Sequence, residues 1–107
     1  MPVPIASFVP RSPRGERLAA RRDEVLEVAR RAGYVDVKVF GSVARGEDGP
    51  GSDIDLMVTP VGSRSLFRLM RLGIDLSDLL GEPVDVVFEP DLRPVVAAKA
   101  AADAAAL

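Results

Sequence analysis

The chain has 107 residues, 48% of them hydrophobic and 28% charged, and a formal net charge of −2 at pH 7. This length fits one domain, and the composition is that of an ordinary globular protein. The absence of cysteine excludes disulfides and thiolate metal sites, and the absence of histidine excludes histidine–metal clusters and Ser-His-Asp triads. Any chemistry must therefore use carboxylates, hydroxyls, arginines and a bound metal. With this net charge we do not expect nucleic acid as a direct partner.

Residues 1–12 interleave three prolines with apolar side chains, which predicts an extended arm and not a helix. The arm packs on this domain, packs on a partner or is a frayed tail; the sequence leaves these alternatives open. Residues 13–107 are expected to form the single domain. No apolar run approaches the ~20 residues of a membrane span, and the N-terminus lacks the apolar region of a signal peptide. We therefore expect a cytoplasmic protein without a membrane contact.

A helix is predicted from Pro13 to the region of Gly33, with Ser12 as its N-cap. Seven of the twelve arginines fall within residues 11–31, among four acidic residues. This pattern is typical of a solvent-exposed, ion-paired helix face, with a phosphate-binding or partner-binding face as the alternative. The apolar stripe of this helix is Leu18, Val25, Leu26, Ala29 and Ala32.

Three strands are predicted along the chain by alternation of apolar and polar residues. Ser65 and Gly81 predict the two ends of a helix between the second and third strands. An alanine-rich helix is expected from residue 91 toward residue 107. The strands should each bury one face, formed by Val35, Val37 and Val39, by Ile54, Leu56 and Val58, and by Val84, Val86 and Phe88. The intervening helix should bury Leu66, Leu69, Met70, Leu72, Leu76, Leu79 and Leu80.

The predicted fold is an α/β (α+β) domain, with a small mixed three-stranded sheet and about four helices. A short loop favours an antiparallel first pair of strands, whereas a helical crossover favours a parallel second pair. This topology would bring Gly41-Ser42, the Asp53/Asp55 pair and Asp85 to one edge of the sheet.

Asp53 and Asp55 are two positions apart, so in a strand they would project from the same face, with Cα atoms roughly 6.6 Å apart. Two carboxylates at that separation repel each other unless a cation lies between them. Both can bind one hard cation that prefers oxygen ligands, which predicts a metal site. Asp85 is a further acid in an apolar strand, and it joins the site if the predicted topology is right.

Gly41-Ser42 is followed after ten residues by Asp53 and Asp55 within an apolar run. This pattern resembles the nucleotidyltransferase superfamily with the polymerase-β type catalytic core. Residues 41–58 resemble its smallest members, the minimal nucleotidyltransferases, which are often encoded beside a HEPN-domain ribonuclease toxin. The resemblance covers residues 21–107.

The resemblance implies ATP as substrate and two Mg²⁺ ions bridging the carboxylates and the triphosphate. Asp53, Asp55 and Asp85 would then be the catalytic and metal-binding residues. Gly41 and Ser42 would hold the terminal phosphates. Arg45 either reaches those phosphates or faces water, and Ser52 either contacts the nucleotide or hydrogen-bonds within its own loop.

The function implied is a protein adenylyltransferase that acts as an antitoxin. It would transfer AMP to a hydroxyl, in our reading a tyrosine, of a cognate HEPN toxin, release pyrophosphate and form a hetero-oligomer with that toxin. One alternative is an antitoxin that inhibits by binding alone. Another is a nucleotidyltransferase with a small-molecule or RNA acceptor.

Overall fold

The computed structural model describes residues 7–89 and 104–107. Within these residues lie four helices and a four-stranded sheet with the strand order β3-β2-β1-β4. None of the helices in this part of the chain is long and apolar enough to cross a membrane. The elements in chain order are α1 (Pro13–Ala20), α2 (Arg22–Arg31), β1 (Tyr34–Phe40), α3 (Gly41–Arg45), β2 (Ile54–Pro60), α4 (Leu66–Leu80), β3 (Val84–Phe88) and β4 (Ala105–Ala106).

The sheet is mixed, as the sequence predicts: β1 pairs with β2 antiparallel, and β2 pairs with β3 parallel. The predicted α/β class is therefore confirmed, although the sheet has four strands and not three. The fourth, β4, pairs antiparallel with β1.

The prediction of a helix toward residue 107 is wrong at its C-terminal end, because Ala105–Ala106 form a strand. Backbone pairing with β1 overrides the helix propensity of alanine here. Leu107 is buried, and its N–H donates to the carbonyl of Val37 at 3.0 Å. The rest of that predicted helix, residues 91–103, lies outside the described residues.

The N-terminal helix begins as predicted, since the Ser12 hydroxyl accepts from the Gly15 N–H at 3.0 Å. It is divided into α1 and α2 at Arg21, whose non-helical ψ of 16° ends the first segment. The predicted single helix is therefore two. Of the arm, Phe8 packs against the core and its N–H donates to the carbonyl of Ala106 at 2.7 Å. Residues 1–6 lie outside the described part of the chain.

A β-bulge in β1 makes one predicted core residue wrong. Asp36 has a φ of 54°, and the register with β2 shifts between Val35 and Lys38. The bulge breaks the alternation of faces, so Tyr34 is buried and Val35 is exposed. Val37 and Val39 are buried as expected.

Helix α4 carries two apolar faces, of which the sequence predicts only one. Leu69, Leu72, Leu76 and Leu80 are buried, as expected, and the Gly81 cap is confirmed by its φ of 67°. The prediction is wrong for Leu66 and Met70, which are 70% and 68% exposed. A sequence that is apolar on two sides of a helix does not show which side meets the core. The exposed stripe of α4 consists of Leu66, Phe67, Met70 and Ile74.

The two faces of the sheet have different roles. Val39, Leu56 and Val86 are register partners on one face and are buried in the core, where α2 contacts β1 and α4 contacts β3. The next row is formed by Phe40, Asp55 and Asp85, which are also register partners. Because successive residues of a strand alternate faces, this second row lies on the side of the sheet opposite the core.

Candidate active site

Asp55 lies at the centre of a group of polar residues on the face opposite the core. In β2 it is paired with Phe40 of β1 on one side and with Asp85 of β3 on the other. Asp53 immediately precedes β2 and is exposed. The structure thus brings the three predicted carboxylates to one edge of the sheet, as the predicted topology requires.

Gly41 brings the backbone of the preceding turn directly against Asp55. It follows β1, begins α3 and has a φ of +73°, a left-handed conformation that glycine adopts at little cost. A Cβ atom at this position would lie only 2.4 Å from Oδ2 of Asp55. Glycine is therefore required at residue 41 by both the backbone conformation and the neighbouring carboxylate.

The charges of Asp53 and Asp85 act on the carboxylate of Asp55. The pKa of Asp55 is raised from 3.8 to about 6, first by burial and then by the negative charges of Asp85 and Asp53. Arg45 opposes this rise through its positive charge. A carboxylate that is half-buried between two others has a strong preference for a cation or a proton.

These donors suit a hard divalent cation, because all three are carboxylates with oxygen ligands. Within residues 7–89 and 104–107, no three His, Cys, Asp or Glu side chains are grouped closely enough to hold a metal ion by themselves. Mg²⁺ does not require such a cage, since it commonly binds one or two carboxylates together with substrate phosphates and water. The residues present therefore fit a metal that binds together with a nucleotide.

The other predicted site residues surround this group. Ser42 is the second residue of α3, and its carbonyl accepts from the Glu47 N–H at 2.8 Å. Arg45 ends α3 and donates to Glu47 at 2.9 Å. The Ser52 hydroxyl accepts from the Gly49 N–H at 2.9 Å, so it stabilises the loop that leads to Asp53.

One group of residues near the site is not predicted by the sequence pattern. Arg14 of α1 is ion-paired with Asp48 in the loop before Asp53 and with Glu82 in the turn before β3. These partners lie 34 and 68 positions from Arg14, and no local periodicity links them. The expected ion pairing of the arginine-rich segment is confirmed, but its long-range partners become visible only in the structure.

Similarity to known proteins identifies the family of this chain. A family model described as the nucleotidyltransferase domain matches residues 22–106. Protein adenylyltransferase MntA of Thermococcus cleftensis is 37% identical over 80 residues, which cover 75% of this chain and 78% of that protein. The chain belongs to the nucleotidyltransferase family, whose members use a nucleotide and a divalent metal.

Solved structures agree with this assignment. A candidate minimal nucleotidyltransferase is 44% identical, has a TM-score of 0.76, and the match covers 86% of this chain and 94% of that one. A chain in the complex of the tri-AMPylated HEPN toxin of Shewanella oneidensis with an MNT antitoxin has a TM-score of 0.65 at 17% identity, over 82% of this chain and 69% of that one. The second likeness concerns the fold alone. The first likeness places this chain among the minimal nucleotidyltransferases.

Proposed function

We propose that the protein transfers AMP from ATP to a tyrosine hydroxyl of a HEPN-type toxin and so acts as its antitoxin. The observation that carries this proposal is the position of Asp55, in register with Asp85 and in contact with the Gly41 turn. This one edge of the sheet offers carboxylates for a metal and a backbone turn for phosphates.

The Gly41-Ser42 turn is the proposed site for the terminal phosphates. Gly41 has no side chain to keep a phosphate away from the backbone, and Ser42 has a hydroxyl that can donate to it. Arg45 donates to Glu47 through Nε, and because a guanidinium carries five N–H donors, this bond is compatible with a further contact to phosphate. Ser52 already accepts a hydrogen bond from Gly49 and contacts the nucleotide through its remaining donor.

Asp53, Asp55 and Asp85 are the proposed ligands of two Mg²⁺ ions. Bound Mg²⁺ would supply positive charge to the phosphate oxygens, the usual source of rate enhancement in this type of reaction. Asp55 must be ionised to bind it, and its pKa of about 6 leaves it ionised at neutral pH. Asp55 thus has the ionisation state that the proposal requires.

The reaction forms a bond between the acceptor oxygen and the α-phosphorus of ATP. The bond between that phosphorus and the bridging oxygen breaks, and pyrophosphate leaves. The acceptor hydroxyl loses its proton, and Asp85, which is exposed on β3, is the proposed base. The chain contains no histidine, so a carboxylate is the natural proton acceptor.

The acceptor is proposed to dock beside Asp85. A groove of about 380 Å³ runs between α4 and β3; its lining is mostly apolar and includes Ser77, Asp78 and Asp85. Met70 and Ile74 belong both to this groove and to the exposed stripe of α4. The arginines of α1 and α2 are less suited to docking, because Arg14, Arg17, Arg30 and Arg31 are already ion-paired.

The relatives support the acceptor class. The Thermococcus cleftensis relative is named a protein adenylyltransferase. The Shewanella oneidensis complex contains an AMPylated HEPN toxin bound to an MNT antitoxin, and a chain of that complex shares the fold of this protein. A reaction that consumes ATP and acts on a ribonuclease toxin belongs in the cytoplasm. The proposal therefore includes a cytoplasmic hetero-oligomer with the toxin.

The test mixes the purified protein, Mg²⁺ and ATP with the product of the adjacent reading frame and measures the intact mass of that product. Addition of AMP units by the wild-type protein and not by Asp53→Asn is expected. A partner that is inhibited but unmodified would contradict the proposal and favour inhibition by binding alone.

A further inference from the structure

Arg14 connects the two loops that lead to the carboxylates of the site. Its Nη1 donates to Oδ2 of Asp48 at 2.9 Å and to the carbonyl of Gly49 at 3.1 Å. Its Nε donates to Oε2 of Glu82 at 3.0 Å. Each of these three acceptors lies in one of the two loops, so a single guanidinium joins them.

The first loop, which contains Asp48 and Gly49, is held by hydrogen bonds between near neighbours in sequence and ends at Asp53. Gly49 and Ser52 exchange two hydrogen bonds, from the Gly49 N–H to the Ser52 hydroxyl at 2.9 Å and from the Ser52 N–H to the Gly49 carbonyl at 3.0 Å. Asp53 follows directly. Arg14 binds Asp48 and Gly49, and the turn from Gly49 to Ser52 leads directly to Asp53. The position of Asp53 therefore depends on the contacts of Arg14.

The second loop leads from α4 into β3. Glu82 is followed by Pro83, whose carbonyl accepts from the Ile54 N–H at 2.9 Å, and Ile54 lies between Asp53 and Asp55. Asp85 lies three residues after Glu82. Arg14 thus holds the start of β3 at the point where it meets the start of β2.

The chemistry of the contact favours arginine over any other residue. The side chains of Arg14, Asp48 and Glu82 are only 14%, 4% and 13% exposed. Hydrogen bonds from Arg14 and Arg17 lower the pKa of Glu82. A planar guanidinium can donate hydrogen bonds to acceptors in two directions at fixed angles. The single ammonium group of lysine cannot donate to both loops with this geometry.

We propose that Arg14 is a positioning residue, which fixes the separation of the Asp53/Asp55 pair from Asp85 by binding Asp48, Gly49 and Glu82 together. The inference rests on the proposed function, because it assigns Arg14 a role at the same site. Residues that hydrogen-bond metal ligands directly change metal affinity or activity about 10–100-fold when replaced, and we take this range for Arg14, which bonds to the loops beside the ligands.

The experiment titrates ATP into the protein calorimetrically in the presence of Mg²⁺. The variants are Arg14→Lys, Asp48→Asn and Glu82→Gln. The control is Arg21→Gln, which removes an exposed ion pair with Glu24 on the helical segment that follows α1. We expect the three variants to bind Mg²⁺·ATP about 10–100-fold more weakly at unchanged stoichiometry, and the control to bind like the wild type.

Reversible unfolding lowers the apparent affinity only by the fraction of molecules that is folded, so titrations run well below the melting temperature of each variant report positioning and not stability. Thermal unfolding without nucleotide is measured in parallel. Variants that melt earlier but bind Mg²⁺·ATP with wild-type affinity would overturn the inference. If Arg14→Lys does not fold, Asp48→Asn and Glu82→Gln give the same decision, since each weakens the hold of Arg14 on one of the two loops.

The outcomes for the wild type distinguish this inference from the proposed function. Wild-type binding of Mg²⁺·ATP without modification of the partner contradicts the proposed transfer, while the variants still decide the role of Arg14. An absence of wild-type binding overturns both.

Discussion

The backbone of Gly41 is in contact with the carboxylate of Asp55, since a Cβ atom at residue 41 would fall 2.4 Å from Oδ2. The two residues lie on neighbouring elements, one at the start of α3 and one within β2. This contact couples the proposed phosphate turn to the proposed metal ligand.

Gly41→Ala is expected to damage both stability and activity. The left-handed φ of +73° costs an alanine roughly 1–2 kcal/mol, and the new methyl group must displace Asp55. A displacement of about 1 Å in a reacting group is enough for a loss of activity on the order of 100-fold. Chemical denaturation and the rate of AMP transfer measure the two effects.

The matched control for this variant is Gly62→Ala, because nothing lies within 4 Å of a Cβ atom there. It should change neither property appreciably. Wild-type transfer by Gly41→Ala would show that Asp55 does not need its present position.

Asp55→Asn is expected to abolish transfer and to raise the melting temperature of the metal-free protein. The raised pKa of Asp55 shows that its negative charge is unfavourable in the folded state at neutral pH. A gain of a few degrees is expected, since about 1 kcal/mol corresponds to about 4–8 °C in a domain of this size.

Asp75→Asn is the control, because Asp75 pairs with Arg71 on the surface of α4 at 3.3 Å. It should preserve transfer. A marked loss of stability in Asp55→Asn would instead make that carboxylate structural.

The stability of the metal-free protein should depend on the ionisation of Asp55. The carboxyl of the unfolded chain ionises near its ordinary pKa of 3.8, whereas the folded-state pKa is about 6. Between these values the folded state retains a proton that the unfolded state has lost, so the contribution of Asp55 is full below about pH 4 and declines until about pH 6.

Thermal unfolding of the wild type and Asp55→Asn in chelator, from pH 4 to pH 8, tests this dependence. The melting temperature of Asp55→Asn should exceed that of the wild type by an amount that grows up to about pH 6 and then stays constant. Parallel curves over the whole range would contradict it. Mg²⁺·ATP binding should weaken below about pH 6, because the cation competes with the proton.

The exposed stripe of α4 should matter for the partner and not for folding. Phe67→Ser and Met70→Ser remove side chains that are 79% and 68% exposed, so the melting temperature should hardly change. If this stripe docks the acceptor, the KM for the partner protein should rise while Mg²⁺·ATP binding stays at the wild-type level. Equal KM values would place the docking surface elsewhere.

Leu76→Ala is the comparison on the buried side of the same helix. Leu76 is fully buried, and its truncation should lower the free energy of unfolding by about 2–5 kcal/mol. A small effect there would show that the assigned core face of α4 is wrong.

The sequence predicts the edge of the sheet that carries the site, because strand alternation and the length of each connection determine which strand ends meet. It does not predict which apolar face of α4 is covered, since Leu66 and Leu69 are equally hydrophobic and only packing distinguishes them. Asp36 gives no local signal that the alternation of β1 fails. Arg14 likewise has the same surroundings in sequence as the surface arginines near it, and its distant acceptors depend on the folded topology.

The parallel pairing of β2 with β3 also affects how the chain folds. Asp55 and Asp85 are adjacent in the sheet but separated along the chain by all of α4, so they meet only when that crossover closes. Closing long-range contacts is slow, and here it also brings like charges together. We therefore expect a nascent chain to complete its helices early and to assemble this pair of carboxylates late, with divalent cations accelerating that step.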